Sequence, residues 1–159
     1  QERTAIGGEE TAGELHDRLA EVGARVILET VRLIASKCTE PQSQDSALAS
    51  PAPKIFRNDC RIDWSAGARS VHDFIRGLSP KPGSFFRRGD ALLKVYRSRC
   101  IPGAVPAPPG TVVSADGGLT VSCGDGALQL TELQQEGKNP LPVEEFLRGM
   151  RVLKGETFN

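Results

Sequence analysis

A capping motif followed by regularly spaced apolar residues opens the chain. Thr11 and Glu14 have the spacing of a capping box, in which each side chain accepts a hydrogen bond from the other residue's backbone N–H. Apolar residues then recur at about helical spacing, at Leu15, Leu19, Val22, Val26 and Ile34. The pattern predicts a long amphipathic helix over residues 12–36. Its apolar stripe needs a partner, which we expect to be an upstream domain or the domain that follows.

Residues 38–53 interrupt this periodicity. The segment is polar and rich in serine, with prolines at 41, 51 and 53. Proline disfavours both helix interiors and central strands, so we expect an irregular, extended linker here. The strongest predicted domain boundary therefore lies between the first helix and the rest of the chain.

The pattern beyond residue 54 indicates a mainly β domain with flanking helices. Apolar positions over 65–78 predict a helix with Ser65 as its N-cap. Short strands follow at 91–97, 111–115, 119–123 and 127–133, with glycine-containing turns between the last three, and a short helix spans 142–149. Strands of this kind favour a small antiparallel β-barrel. We expect Trp64, Phe74 and Tyr96 in its core, and one of Phe85 and Phe86 buried with the other exposed.

The charge distribution changes this picture, although the net charge of the chain is zero. Residues 1–53 carry five basic and nine acidic residues, net −4, and residues 101–159 carry four and seven, net −3. The stretch between them, 54–100, carries eleven basic residues and four Asp, net +7, and eight of the eleven are Arg. This is the footprint of a surface for nucleic acid or another polyanion, with a merely solvated face as the alternative.

Catalytic and metal chemistry find little support in the sequence. Cys38, Cys60, Cys100 and Cys123 are scattered and only two histidines, His16 and His72, are present, so no metal site is predicted. We interpret the cysteines as free cytosolic thiols, both histidines as structural or surface residues, and Asp59 and Asp63 as capping or solvated groups. No phosphate-binding glycine motif, nucleophile elbow, signal peptide or membrane-length apolar run is visible.

Several segments, taken in order, resemble a known family. They are Ala-Pro-Lys-Ile at 52–55, Arg-Ile-Asp-Trp at 61–64, Ile-Arg-Gly-Leu-Ser-Pro-Lys-Pro-Gly at 75–83, Gly-Thr-Val at 110–112, Cys-Gly-Asp-Gly-Ala-Leu at 123–128 and Glu-Phe-Leu-Arg-Gly at 145–149. Together they resemble the C-terminal domain of the methionyl-tRNA formyltransferase family. Residues 10–15 resemble the last helix of that family's catalytic domain. Lys81 stands where the family usually has an aromatic residue, and Pro51 where one often precedes Ala-Pro-Lys.

The resemblance implies a fold, a division of the chain and a function. The fold is an OB-like barrel over 54–159, preceded by a linker over 38–53 and by the last helix of an upstream catalytic domain over 1–37. The parent enzyme transfers a formyl group from 10-formyltetrahydrofolate to the amino group of initiator methionyl-tRNA, in the cytoplasm, to start protein synthesis. This chain would bind the tRNA backbone, bind no cofactor, and hold none of the catalytic Asn, His and Asp of the family.

The residues implied for tRNA binding are Lys54, Arg76, Lys81, Arg87 and Arg88. Lys54 falls on the lysine of the family's Ala-Pro-Lys pattern, and the other four stand near one turn in the basic stretch. Two alternatives remain. The barrel could belong to another formyltransferase, one that processes sugar nucleotides or folates, or it could be a purely structural domain that binds no RNA.

Overall fold

The computed structural model describes residues 1–103 and 105–159. The sequence predicts a proline-rich loop over 101–109, between the strands expected at 91–97 and 111–115, and this loop contains residue 104, which lies outside the described residues. Three α-helices and six strands are found within the described parts of the chain. In chain order they are α1 (Ala12–Ala35), α2 (Ala68–Leu78), β1 (Ser84–Arg88), β2 (Ala91–Ile101), β3 (Val112–Ser114), β4 (Leu119–Ser122), β5 (Ala127–Gln135), β6 (Leu141–Pro142) and α3 (Val143–Gly149).

The strands form one antiparallel sheet in the order β1-β2-β5-β4-β3, and β6 pairs with β5. The sheet curls into an open barrel. The last residues of the chain lie across the opening: Phe158 N–H donates to the Gly110 carbonyl beside β3 at 2.8 Å, and Asn159 N–H donates to the Arg87 carbonyl of β1 at 3.0 Å. The prediction of a small, mainly β, barrel-like domain with flanking helices is confirmed.

The core is built around Phe86, which is fully buried. Its ring stacks on Phe158 with centroids 4.5 Å apart and meets the edge of Trp64 at 5.7 Å. Phe85 is also buried, so the prediction that one of the two phenylalanines is exposed was wrong. The reason is a second small cluster on the other face of β1, where Phe85 packs with Cys60, Leu78 and Leu92.

The N-cap of helix α2 lies two residues later than predicted. Gly67, not Ser65, is its N-cap, and Ser65 instead hydrogen-bonds to Asp63. The first helical N–H, that of Ala68, donates to Asp125 Oδ1 at 2.6 Å. Asp125 lies in the turn between β4 and β5, so the cap comes from a distant part of the sequence. A local capping rule cannot detect such a partner.

Helix α1 begins as its capping motif predicts. Thr11 N–H donates to Glu14 Oε2 at 2.8 Å, and Glu14 N–H donates to Thr11 Oγ1 at 3.3 Å. None of the helix residues is buried against the rest of the described chain, and its apolar side chains Leu19, Ile27, Leu28, Val31, Leu33 and Ile34 are exposed. The structure describes all of residues 38–53. They form one 3-10 turn, Ser46–Leu48, and are otherwise irregular.

The first turn of α1 contacts the end of α2 closely. Gly13 N–H donates to the Ser79 carbonyl at 2.9 Å. A Cβ atom at Gly13 would lie 2.4 Å from Pro80 Cδ, whereas a Cβ at Gly23 would meet nothing within 4 Å. The absence of a side chain at Gly13 therefore allows the helix to reach the barrel domain.

We expect Gly13→Ala and Gly23→Ala to have opposite effects. The new methyl group at residue 13 collides with Pro80 and should lower the free energy of unfolding by about 1–3 kcal/mol. The same change at residue 23 should raise helix stability by about 0.5–1 kcal/mol, because alanine is the better helix former. Thermal unfolding followed by circular dichroism measures both. A stabilised Gly13→Ala variant would contradict the described contact.

Arg88 holds the C-terminal segment in place. Its Nε and Nη2 atoms donate to the two carboxylate oxygens of Glu156 at 2.6 and 2.9 Å, and Nη2 also donates to the Arg151 carbonyl at 2.7 Å. The hydrogen bond from Arg88 lowers the pKa of the Glu156 carboxyl group. Arg87, the preceding residue, has an exposed side chain.

The pair Arg88→Ala and Arg87→Ala tests this difference between neighbours. Loss of the Arg88 guanidinium leaves the Leu153 N–H as the remaining donor to the half-buried Glu156 carboxylate and removes the donor to the Arg151 carbonyl, so the free energy of unfolding should fall by about 1–3 kcal/mol. Arg87→Ala should change it by no more than about 0.5 kcal/mol, as expected for an exposed side chain. Urea unfolding measures both values. Equal losses would show that Arg88 has no special structural role.

Candidate nucleic-acid interface

The register of β1 and β2 places basic side chains on the outer face of the barrel. Phe85 pairs with Lys94, and Arg87 pairs with Leu92. Directly paired residues of antiparallel strands point to the same face, so these four side chains share one face. The alternate residues Phe86 and Leu93 point into the core and are fully buried. The outer face therefore combines two buried apolar side chains with Arg87 and Lys94.

A short turn covers part of this outer face. It is a 3-10 helix over Arg57–Cys60, and Phe56 is its N-cap. Phe56 N–H donates to Asp59 Oδ2 at 2.8 Å, and the Cys60 thiol donates to the Phe56 carbonyl at 3.4 Å. Cys60 is buried beside Phe85, which anchors the turn. The backbone at Phe56 is thus fixed by both of its polar groups.

An open groove of about 390 Å³ lies between this turn and the strands. We call it the β1–β2 groove, and its walls include Ile55, Phe56, Arg57, Pro82, Lys94 and Glu136. Arg57 pairs with Glu136 at 3.1 Å, and Lys94 Nζ donates to the Pro82 carbonyl at 2.9 Å. Lys54 Nζ lies 5.7 Å from the centroid of the Phe56 ring.

Basic residues outnumber acidic residues in and next to the groove. The basic residues are Lys54, Arg57, Lys81, Arg87 and Lys94, and the acidic residues are Asp59, Asp90 and Glu136. Lys54, Lys81 and Arg87 are exposed and make no ion pair within the described ranges 1–103 and 105–159. They are available to a polyanion without the loss of an ion pair.

The five residues named from the sequence separate into two groups. Lys54 and Arg87 adjoin the groove, and Arg76 and Arg88 are held by other parts of the chain. Lys81 precedes the groove residue Pro82 but lines a separate cleft beside the first turn of α1. Arg76 Nε donates to Asp73 Oδ1 at 2.6 Å, and its Nη1 atom donates to the carbonyls of Gly7 and Glu10 at 3.1 and 3.0 Å. Proximity to one turn in the sequence therefore does not make these side chains neighbours in space. A role of the five in RNA binding stays a prediction.

Three groove residues were missed at the sequence level: Phe56, Arg57 and Lys94. Lys94 could have been found, because it alternates with the apolar Leu93 and Val95 in a predicted strand and so points outwards. Phe56 and Arg57 carry no such signal, since the turn that holds them has no periodicity. Their position depends on the packing of Cys60 against Phe85.

The polar contacts of α1 with the barrel explain other charged residues. Arg97 donates to Glu14, and the pKa of the Glu14 carboxyl group is lowered to about 2 by the Thr11 N–H and by this guanidinium. His72 is buried, with Nδ1 3.1 Å from Ser98 Oγ and Nε2 3.3 Å from the Gly8 carbonyl oxygen. These contacts give His72 a structural role, as expected, and His16 is exposed.

Other chemistry has little support from the structure. All four cysteines are free, as predicted, and burial raises the pKa of the Cys123 thiol to about 12. Asp59 and Asp63 cap short turns, which also agrees with expectation. No group of three metal-ligating side chains occurs among residues 1–103 and 105–159. Within the same ranges, no helix is both long and apolar enough to span a membrane.

Comparisons with known proteins agree with the resemblance noted in the sequence. The chain is 42% identical over 159 residues to the methionyl-tRNA formyltransferase of Chlorobium phaeovibrioides, a match that covers 98% of this chain and 50% of the relative. It is 44% identical over 150 residues to that of Paracoccus denitrificans, covering 94% and 48%. The chain thus spans about half the length of the curated relatives it matches.

A solved structure shows the same fold at lower identity. HypX from Aquifex aeolicus, in complex with tetrahydrofolic acid, superposes with a TM-score of 0.68 at 16% identity, covering 98% of this chain and 30% of that one. Residues 54–151 match the family described as formyl transferase, C-terminal domain. These residues include the barrel and both sides of the β1–β2 groove. The chain therefore belongs to the formyltransferase family through its C-terminal domain.

Proposed function

We propose that this chain is the C-terminal half of a methionyl-tRNA formyltransferase and that its barrel holds tRNA by the phosphate backbone. The observation that supports this most directly is the group of exposed cations Lys54, Lys81 and Arg87, which lie in or next to the two clefts on either side of Pro82. Relatives at 42–44% identity are named for methionyl-tRNA, an extended polyanion. A surface of lysine and arginine side chains suits such a ligand.

The contacts would position the tRNA without reading its sequence. Lysine acts as a mobile point charge towards phosphate, and Arg87 adds a planar fork that can bind two phosphate oxygens. Each neutralised phosphate releases condensed counterions, so binding should weaken as the salt concentration rises. Backbone contacts fix orientation and carry no base information, so the barrel should bind initiator and elongator tRNA almost equally.

The formyl transfer itself would take place outside this chain. In the proposed parent enzyme the donor is 10-formyltetrahydrofolate, the acceptor is the amino group of initiator methionyl-tRNA, and both react in an upstream catalytic domain. The two histidines support this division. His72 is buried and hydrogen-bonds to Ser98 and Gly8, and His16 lies on the exposed first helix. The share of this chain would be to hold the substrate.

The domain division follows the same proposal. Residues 1–37 would end the upstream domain, residues 38–53 would link the two domains, and residues 54–159 would form the tRNA-binding barrel. The exposed apolar stripe of α1 supports this, because a stripe of that size is normally covered by a partner. The catalytic domain of the same protein is the partner that we propose.

A structural domain without RNA binding is the second candidate, and one observation favours it. Several arginines of the basic stretch already have acidic partners: Arg69 and Arg76 pair with Asp73, Arg88 with Glu156, and Arg97 with Glu14 and Glu132. The charge of +7 over residues 54–100 therefore overstates the free positive surface. The two candidates differ in whether the remaining cations bind RNA.

Two triple variants with equal charge change separate these candidates. Lys54→Gln, Lys81→Gln and Arg87→Gln together should weaken tRNA binding, and the slope of log K against log salt should flatten by about 2–3, at about 0.7–0.9 for each lost phosphate contact. The control is Arg32→Gln, Arg148→Gln and Lys154→Gln, three exposed residues outside the basic stretch. Filter binding or fluorescence anisotropy over a salt series measures both.

The control should keep the slope of the unchanged protein. If both triple variants lose affinity equally, tRNA binding depends on the overall charge of the chain and not on Lys54, Lys81 and Arg87 in particular. If the unchanged protein shows no salt-dependent tRNA binding, the structural candidate takes the lead. Circular dichroism melting should show that all variants remain folded, since every substituted side chain is exposed.

The chain by itself should transfer no formyl group. With initiator methionyl-tRNA and 10-formyltetrahydrofolate supplied, we expect no formyl-methionyl-tRNA above background, because the proposed catalytic residues lie in the other half of the enzyme. Acid-gel or chromatographic separation of formylated from free methionyl-tRNA measures the product. Turnover that follows the purified chain through successive columns would contradict the division of labour.

A further inference from the structure

Phe56 presents a large aromatic ring to solvent at a fixed position. The residue is 63% exposed, and it is the N-cap of the Arg57–Cys60 turn. Its N–H is bound by Asp59 and its carbonyl accepts from the Cys60 thiol, so the backbone is already ordered. A ligand that binds this ring would lose little conformational freedom of the protein.

Cations surround the ring, and this decides which kind of ligand fits. Lys54 Nζ lies 5.7 Å from the ring centroid, and Arg57 and Lys94 line the groove beside it. An aromatic platform bordered by lysine and arginine is the arrangement by which proteins bind unpaired nucleotides: the base stacks on the ring and the phosphates contact the cations. A purely apolar partner would bury Lys54 and Lys94 without supplying an anion to either of them.

We propose that Phe56 stacks on an unpaired base of the bound RNA, with the neighbouring phosphates held by Lys54 and Lys94. This proposal rests on the proposed function, since it requires that the barrel binds RNA. It adds a contact that phosphate binding does not supply. Bases inside a duplex are stacked on one another and have no free face, so the site selects single-stranded or bulged segments.

The stacking contact must be distinguished from a general apolar contact. Phe56→Leu keeps an apolar side chain of similar reach but removes the aromatic face. Phe56→Trp keeps and enlarges that face, and Phe56→Ala removes both contributions. Leu48→Ala is the matched control, because Leu48 is an exposed apolar residue of the linker, 81% accessible, and does not line the groove.

The experiment uses the full 159-residue chain. The probes are a fluorescein-labelled single-stranded RNA of twelve nucleotides and the blunt duplex of the same sequence, titrated by fluorescence anisotropy at several salt concentrations. Phe56→Ala and Phe56→Leu should bind the single strand at least about 5-fold more weakly, the lower end of what removal of one stacking side chain costs. Phe56→Trp and Leu48→Ala should bind it as tightly as the unchanged protein, or more tightly.

Duplex binding and the salt slope should stay the same in every variant, because no charge is removed. The proposal is overturned if Phe56→Leu binds the single strand normally, or if duplex binding falls in parallel with single-strand binding. Normal affinity of Phe56→Ala, with the salt slope intact, overturns the stacking contact alone and leaves the proposed function standing. Absence of salt-dependent binding by the unchanged chain overturns both.

Discussion

The pairing of β2 with both β1 and β5 is the constraint on which the rest of the domain depends. Leu93 and Val95 of this strand are fully buried, while Lys94 between them lines the groove on the outer face. A shift of the register by one residue would exchange these faces and bury the lysine. The same hydrogen-bond ladder therefore fixes the apolar core and the basic surface, so neither could form without the other.

Some arginines of the basic stretch hold irregular segments of the chain in place, and burial distinguishes them from the exposed cations. Arg76 and Arg88 are half-buried. Arg76 binds Asp73 of its own helix and the carbonyls of Gly7 and Glu10, and Arg88 binds Glu156 and the Arg151 carbonyl. Buried carbonyl and carboxylate groups are costly without a donor, and a guanidinium supplies several donors at once. The number of arginines in a small domain thus reflects its irregular N- and C-terminal segments as well as any ligand.

Local features of this fold could be predicted from the sequence, and distant ones could not. The capping box at Thr11 and Glu14 is complete within four residues, so the first residue of its helix, Ala12, was predicted correctly. The cap of α2 was missed because it comes from Asp125, far along the chain. The burial of Phe85 and the use of Arg88 were missed for the same reason: their partners are close only in the folded domain.

Lys54 lies where the proposed linker meets the proposed RNA-binding groove. It directly follows the irregular segment 38–53, and its amino group lies over the ring of Phe56 at the edge of the groove. RNA bound in the groove would therefore pass close to the point where the linker enters the barrel. An irregular linker imposes no single geometry, so an upstream domain could approach an RNA held in this way. In the proposed enzyme the groove would position the RNA, and the linker would allow the catalytic half to adjust to it.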